Sequence, residues 1–318
     1  MKNKKSIMAL SAINILVFHL WMNLTSGGGI ELFLKQTAYL GVDIFFFLSG
    51  YSLAGREVTN YGSFVISRFW SVYFKFILFA VVAFFYAKWS FGYLAQVIFG
   101  INLVKKGGGA FLWFLPAIMI FYLLFPLFQK ADKRNRWVTF LSVMVGWAVI
   151  AFVVSHFTDY SQMFIVWNRI PIFLLGYYFV KLDWLQKILE SNLARFLCGC
   201  LLLFVGYGLI YLFAYKSKLQ VPFVDTFYLM VIPASIGWAL VASFIPEISV
   251  IKWIGSSTLE MYAMQMIFGY KLANRIMKQT KNVFFTNIST ILLVIAMAVA
   301  VHYLYSYIEK KVKMLISR

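Results

Sequence analysis

The 318-residue sequence has little of what a soluble domain or a metal centre is built from. Charged residues make up only 13% of it, about half the share usual in globular domains, which excludes a solvated surface over most of the chain. Acid is scarcer than base, with 11 Asp and Glu against 29 Lys and Arg and a formal net charge of +18. There are two cysteines, Cys198 and Cys200. Two positions apart in one apolar run, they point in different directions on a helix and cannot bridge within it, so they are read as packing residues. The three histidines, His19, His156 and His302, are too scattered to assemble a ligand set, and no metal site is expected. Proline-rich or serine-rich linkers, an appended soluble domain and internal repeats are all lacking, which leaves a single membrane domain over residues 1–318 as the economical organisation.

What fills the sequence instead is apolar. Hydrophobic residues reach 62% and mean hydropathy is +0.81. Apolar runs of spanning length fall at about 6–25, 37–55, 70–89, 110–129, 137–156, 163–181, 194–214, 224–245, 255–274 and 285–308. The expected fold class is therefore all-α, a polytopic bundle of about ten transmembrane helices. The 34 Phe, 19 Tyr and 10 Trp exceed what interfacial belts need, so many must pack between helices or face lipid. The basic residues punctuate the runs rather than forming a basic domain with aromatic platforms, so they speak for topology and membrane lipid and against nucleic acid. Most loop lysines and arginines fall on the side of the N-terminus, which places both termini of a multi-pass protein in the cytoplasm, against the basic loop at 271–281. MKNKK before the first run resembles a signal peptide, but no small-x-small cleavage site follows, so an uncleaved first helix is expected. Gly27–Gln36 reads as an outer loop, and Gly92–Gly109, ending in KKGGG, as the longest outer connection, able to re-enter or cover a cavity.

Polar residues inside such runs carry the functional signal. His19 lies in the first, roughly 20 Å along its helix and hence in the outer half, with Asn14 about 140° around the axis, so both can border one interior cavity. The bland alternative is an imidazole that only bonds a neighbouring helix. In GVDIFFFLSGY, Asp43 sits near the outer end of the second run and Ser49 further in; Asp43 needs a cation, a histidine or water, with His19 and Arg169 as candidates, unless it only bonds amides at its helix start. Arg68, with Trp70, Tyr73 and Lys75, either snorkels to lipid phosphate or, with Arg56 and Lys75, holds the phosphates of an anionic substrate. Trp113, just below the outer surface, is a belt aromatic or a platform for a sugar face. Arg169 must face the bundle or snorkel, and Pro171 beside it is expected to kink the sixth helix. Ser257 and Glu260 have the spacing of a capping box, Gln265 can hydrogen-bond across helices, and His302 is either a second functional site or, the favoured reading, a partner in an interhelical hydrogen bond.

In order along the chain, AINILVFHL, GVDIFFFLSGY, FVISRFWSVYF, FLWFLPAIMIFYLLFPLF, NRIPIFLLGYY and IGSSTLEMYAMQM resemble the successive helices of the acyltransferase-3 family of integral membrane acyltransferases. The resemblance makes His19 the family's characteristic histidine. Two positions depart from the pattern: Met8 stands where the family has an arginine ahead of that histidine, and Gln265 where it often has a histidine.

What the resemblance implies is transfer of an acyl group, commonly acetyl from acetyl-CoA, to a carbohydrate hydroxyl, with no bound cofactor. The cytoplasmic donor would meet Arg68 and its basic neighbours; the acceptor, a polysaccharide or lipid-linked glycan, would arrive from outside the cell membrane. His19 would act as general base oriented by Asp43, and the oxyanion would need donors such as Ser49, Asn14 or Arg169. A separate polysaccharide synthesis machinery is a conceivable partner. The main alternative is a polysaccharide exporter or proton-coupled transporter, which ten helices with intramembrane Asp, Arg and His also describe; the lack of repeats and of paired broken helices speaks against it.

Overall fold

The structure, a computed structural model, describes residues 3–24, 37–38, 40–157, 163–212 and 226–316. Among these residues all regular structure is helical, and each of the ten apolar runs carries a helix. Five helical segments are long and apolar enough to cross a membrane: Tyr61–Ala87, Phe114–Arg134, Arg136–Val153, Asn192–Leu212 and Val283–Lys311. Leu40–Ala54 and Met230–Ala242 are shorter apolar helices. Aromatic residues are both buried and exposed. Phe46, Phe47, Phe76 and Phe125 are buried between helices, while Phe85 and Phe204 stand exposed on helices long enough to span a membrane. The expected outer loop at Gly27–Gln36 lies outside the described residues.

Three local expectations are revised. The connection Gly92–Gly109 is helical rather than an open loop. Ser90 caps the helix Phe91–Ile98 by accepting from the Tyr93 amide at 3.2 Å, Gly100 turns the chain at φ +73°, and Ile101–Lys106 follows. The sixth run is not one kinked helix. A short turn, Phe164–Trp167, ends at Asn168, and a new helix, Ile170–Lys181, begins after Arg169 with Pro171 in its first turn, where a missing amide hydrogen removes no intrahelical bond. Ser257 does not close a capping box with Glu260. Its backbone (φ −102°, ψ 24°) is not extended, and its hydroxyl donates back to the Trp253 carbonyl at 2.6 Å.

The chain divides into two compact units. The first comprises Met1–Phe45, Arg195–Leu203 and Ser235–Arg318. Here the helix Lys4–Leu24 is fastened at its start to the turn that follows Thr226–Ala242. Asn3 Nδ2 donates to the Ser243 carbonyl at 2.9 Å, Ser6 Oγ to the Ile245 carbonyl at 2.8 Å, and the Lys5 amide to Glu247 Oε1 at 2.7 Å. The Glu247 carboxylate thus satisfies a first-turn amide and sits at the positive end of the helix. Gly41 sets a close approach to the same helix, since a Cβ there would lie 2.3 Å from the Ser11 carbonyl oxygen.

The second unit comprises Phe46–Ala194 and Phe204–Ala234. Its tightest packing is the crossing of Leu40–Ala54 with Ile170–Lys181, where glycines face each other's backbones. A Cβ on Gly50 would meet the Phe173 carbonyl oxygen at 2.0 Å, and one on Gly176 the Phe47 carbonyl oxygen at 2.1 Å. Small residues at membrane helix crossings allow this approach.

Candidate functional site

Three of the seven predicted site residues fall in the first unit: Asn14, His19 and Asp43. Asn14 and His19 are both half-buried on Lys4–Leu24. The His19 ring packs edge-on to Phe18 at 5.2 Å and lies 6.4 Å from the ring of buried Tyr262. Asp43 is 1% exposed in the first turn of Leu40–Ala54, where a carboxylate is favoured by the helix dipole. The close approach two residues before it, at Gly41, is to Ser11 and Ile15, in the part of the first helix that precedes His19.

Around these residues the first unit holds polar groups that the sequence placed only in part. Gln265 begins a π-helical segment, Gln265–Gly269, and its Nε2 lies 3.5 Å from the carbonyls of Ile15 and Leu16. A π segment inserts an extra residue into a helical turn and is frequent at functional sites. Glu260, 1% exposed, meets His302 Nδ1 at 3.1 Å, the interhelical hydrogen bond expected of that histidine.

The other four, Ser49, Arg68, Trp113 and Arg169, fall in the second unit and form two groups. Asn60 starts the helix bearing Arg68 by accepting from the Ser63 amide at 2.9 Å, and a π segment, Phe69–Tyr73, follows Arg68 directly. The half-buried Arg68 guanidinium lies between two rings, 5.1 Å from the Phe64 centroid and 4.9 Å from that of Tyr122. Its buried Nε has no hydrogen-bond partner among the described residues. Tyr122 also reaches Ser49, donating its hydroxyl to Ser49 Oγ at 3.4 Å. Tyr122 therefore connects two residues that the sequence proposed separately. Only its aromatic character was visible beforehand.

In the second group, Arg169 and Trp113 stack. The guanidinium carbon stands 5.6 Å from the indole ring, Arg169 Nη1 donates to the Ile165 carbonyl at 3.1 Å, and both residues are buried, at 2% and 6% exposure. The Trp113 face turned to Arg169 is thus occupied by a cation rather than open to a sugar. Leu112, just before it, has φ +47°, a region that a bulky L residue seldom enters, so the direction of Trp113 is imposed at some cost by its surroundings.

A further cluster gave no warning in the sequence. Asp132 accepts from Tyr177 at 2.8 Å, from Tyr178 at 2.7 Å and from Lys181 at 2.5 Å, joining Phe114–Arg134 to Ile170–Lys181. Nearby, Gln129 Nε2 donates to the Arg56 carbonyl at 2.6 Å and its Oε1 accepts from the Val58 amide at 2.9 Å, so the segment between Leu40–Ala54 and Tyr61–Arg68 is held down. Lys133 pairs with Glu57 there, and this hydrogen bond and charge hold the exposed Glu57 carboxyl below its usual range. No group of three or more His, Cys, Asp or Glu side chains able to hold a metal occurs among the described residues.

Comparison with known proteins adds the family. No curated protein and no solved structure matches the chain. The model of the acyltransferase-3 family, described as an acyltransferase domain, matches residues 8–307, from the first helix into the last and through both compact units. With apolar helices of spanning length and a family match over nearly its whole length, this chain belongs to the acyltransferase-3 family of membrane acyltransferases.

Proposed function

We propose that the protein transfers an acetyl group from acetyl-CoA to a hydroxyl of an extracellular or lipid-linked polysaccharide, in the cell membrane, with both termini in the cytoplasm. The acyltransferase activity follows from the family. The observation that carries the donor assignment is Arg68, a half-buried guanidinium between two rings with no carboxylate beside it among the described residues. A cation kept from water without an internal anion is suited to an anionic ligand, and the phosphates of coenzyme A supply one. Ser49, reached through Tyr122, belongs to the same group.

His19 is assigned the proton. The acceptor hydroxyl oxygen attacks the thioester carbonyl carbon while its proton passes to the imidazole. The tetrahedral intermediate then collapses, the carbon–sulfur bond breaks, and the thiolate takes the proton from the imidazolium. Asn14, on the same helix, is assigned as a hydrogen-bond donor to the oxyanion, and Asp43 as the buried carboxylate that favours the transient imidazolium. The stacked Trp113 and Arg169 are assigned to the acceptor. The arginine that the family places ahead of the histidine is Met8 here, so the first helix carries the proposed base without that cation.

The test is transfer of labelled acetyl from acetyl-CoA to cell-surface glycan by membranes carrying wild type or His19→Ala. Loss of acetylation at normal protein and glycan levels is expected. Unchanged acetylation with glycan trapped inside the cell would replace this reading with export.

A further inference from the structure

Buried amides are costly unless bonded, so a side chain with both ends unsatisfied asks what it is there to meet. The second unit has two on adjoining segments. Asn102 is 2% exposed and Asn168 1% exposed, and neither the Nδ2 nor the Oδ1 of either has a hydrogen-bond partner among the described residues. Asn102 sits on Ile101–Lys106, the short helix leading into the Gly107–Gly109 turn. Asn168 follows Phe164–Trp167, which packs on that turn so closely that a Cβ on Gly108 would lie 2.5 Å from Ile165 Cδ1. The next residue after Asn168 is Arg169, stacked on Trp113, and the buried indole Nε1 of Trp167 is a further donor with no partner among the described residues.

We propose that Asn102 and Asn168 form a subsite for sugar hydroxyls beside the Trp113–Arg169 stack, which receives the acceptor glycan. This rests on the glycan-acylating reading above and gives it residues that the sequence did not single out. Each amide offers two N–H donors and one carbonyl acceptor, and a sugar hydroxyl both donates and accepts, so adjacent hydroxyls of one ring satisfy an amide at both ends. Two such amides with an indole N–H suit a neutral, polyhydroxylated ligand; phosphate would leave the amide carbonyls unmet. The Trp113–Arg169 stack supplies an adjoining wall with its cation already held, so the glycan need not be charged. The strained backbone at Leu112 fits a wall whose direction matters more than its ease of folding.

The test uses the full chain in lipid nanodiscs and two probes from cells that naturally make the protein: their lipid-linked oligosaccharide fraction and their free surface polysaccharide. Binding is read as the shift of the thermal midpoint with probe concentration, independently of acyl transfer. The wild type is expected to be stabilised by one fraction, which identifies the source of the acceptor. In the double variant Asn102→Leu, Asn168→Leu, the midpoint without glycan should stay or rise, because unmet amides are replaced by apolar groups of similar size. Its apparent affinity for the glycan should fall about tenfold or more, with the acetyl-CoA KM within about twofold. If the double variant does not fold, the single Asn102→Ser and Asn168→Ser variants carry the same comparison. The proposal is overturned if neither fraction stabilises the wild type, as when water alone satisfies the amides, or if the variants bind glycan as the wild type does. Glycan binding that depends on the asparagines, with no acetyl moved by the wild type, would remove the acyl-transfer reading and keep the subsite.

Discussion

Arg68 shows how much of a residue's chemistry is legible alone. Its position in an apolar run marks it as either an anion ligand or a lipid-facing snorkel, and periodicity cannot choose between the two. Tyr122 and Phe64 inform the choice by flanking the guanidinium at 4.9 and 5.1 Å, which holds the cation without neutralising it. If the ring is what positions Arg68, Tyr122→Phe should leave the acetyl-CoA KM within about twofold, whereas Tyr122→Leu should raise it several-fold, in line with about 0.5–2 kcal/mol for a cation–π contact. Arg68→Ala should raise the donor KM further and leave the acceptor KM unchanged. An effect confined to the acceptor would move the donor site elsewhere. His19 was legible from its own run, because few side chains cost more in hydrocarbon than an ionisable one. Asn102 and Asn168 were not, because an asparagine near a helix end is ordinary until its burial, and its lack of a partner among the described residues, are known.

At the scale of elements, apolar length predicted the helices and glycine decided their closest crossings. Gly50 and Gly176 each admit a carbonyl of the other helix, so Gly176→Ala should force the backbones apart. The expected cost is roughly 1–3 kcal/mol, seen as a lower thermal midpoint in detergent, while Gly146→Ala, where a Cβ meets nothing within 4 Å, should have little effect. Both glycines look alike in the sequence. The Asp132 cluster makes a second prediction. Asp132→Ala removes the acceptor shared by Tyr177, Tyr178 and Lys181, and losing a buried, hydrogen-bonded charge partner typically costs about 3–5 kcal/mol. A midpoint unchanged by this substitution would mean the cluster is satisfied by other groups. Local sequence rules failed where a tertiary partner competed. Ser257 and Glu260 have capping-box spacing, but Glu260 is engaged by His302 and Ser257 turns back on its own helix.

For the whole molecule, the family match through residues 8–307 makes the chain a membrane acyltransferase whatever its acceptor. The proposed orientation is tested by fusing a fluorescent reporter that folds only in the cytoplasm after Arg318; fluorescence is expected, and a silent reporter with active alkaline phosphatase at the same point would reverse the tail. The sequence by itself determined that the protein is a helical membrane bundle, because hydrocarbon tolerates little else with so few charges, and it determined which ionisable groups are costly enough to need a purpose. Only the tertiary structure decided how those groups are served. It put Tyr122 between Ser49 and Arg68, turned Trp113 toward Arg169, gave Asp132 three donors and left Asn102 and Asn168 with none among the described residues. The physical reason is range: hydropathy is a sum over neighbours in the chain, whereas a hydrogen bond or a ring stack depends on which distant side chain arrives within a few ångströms.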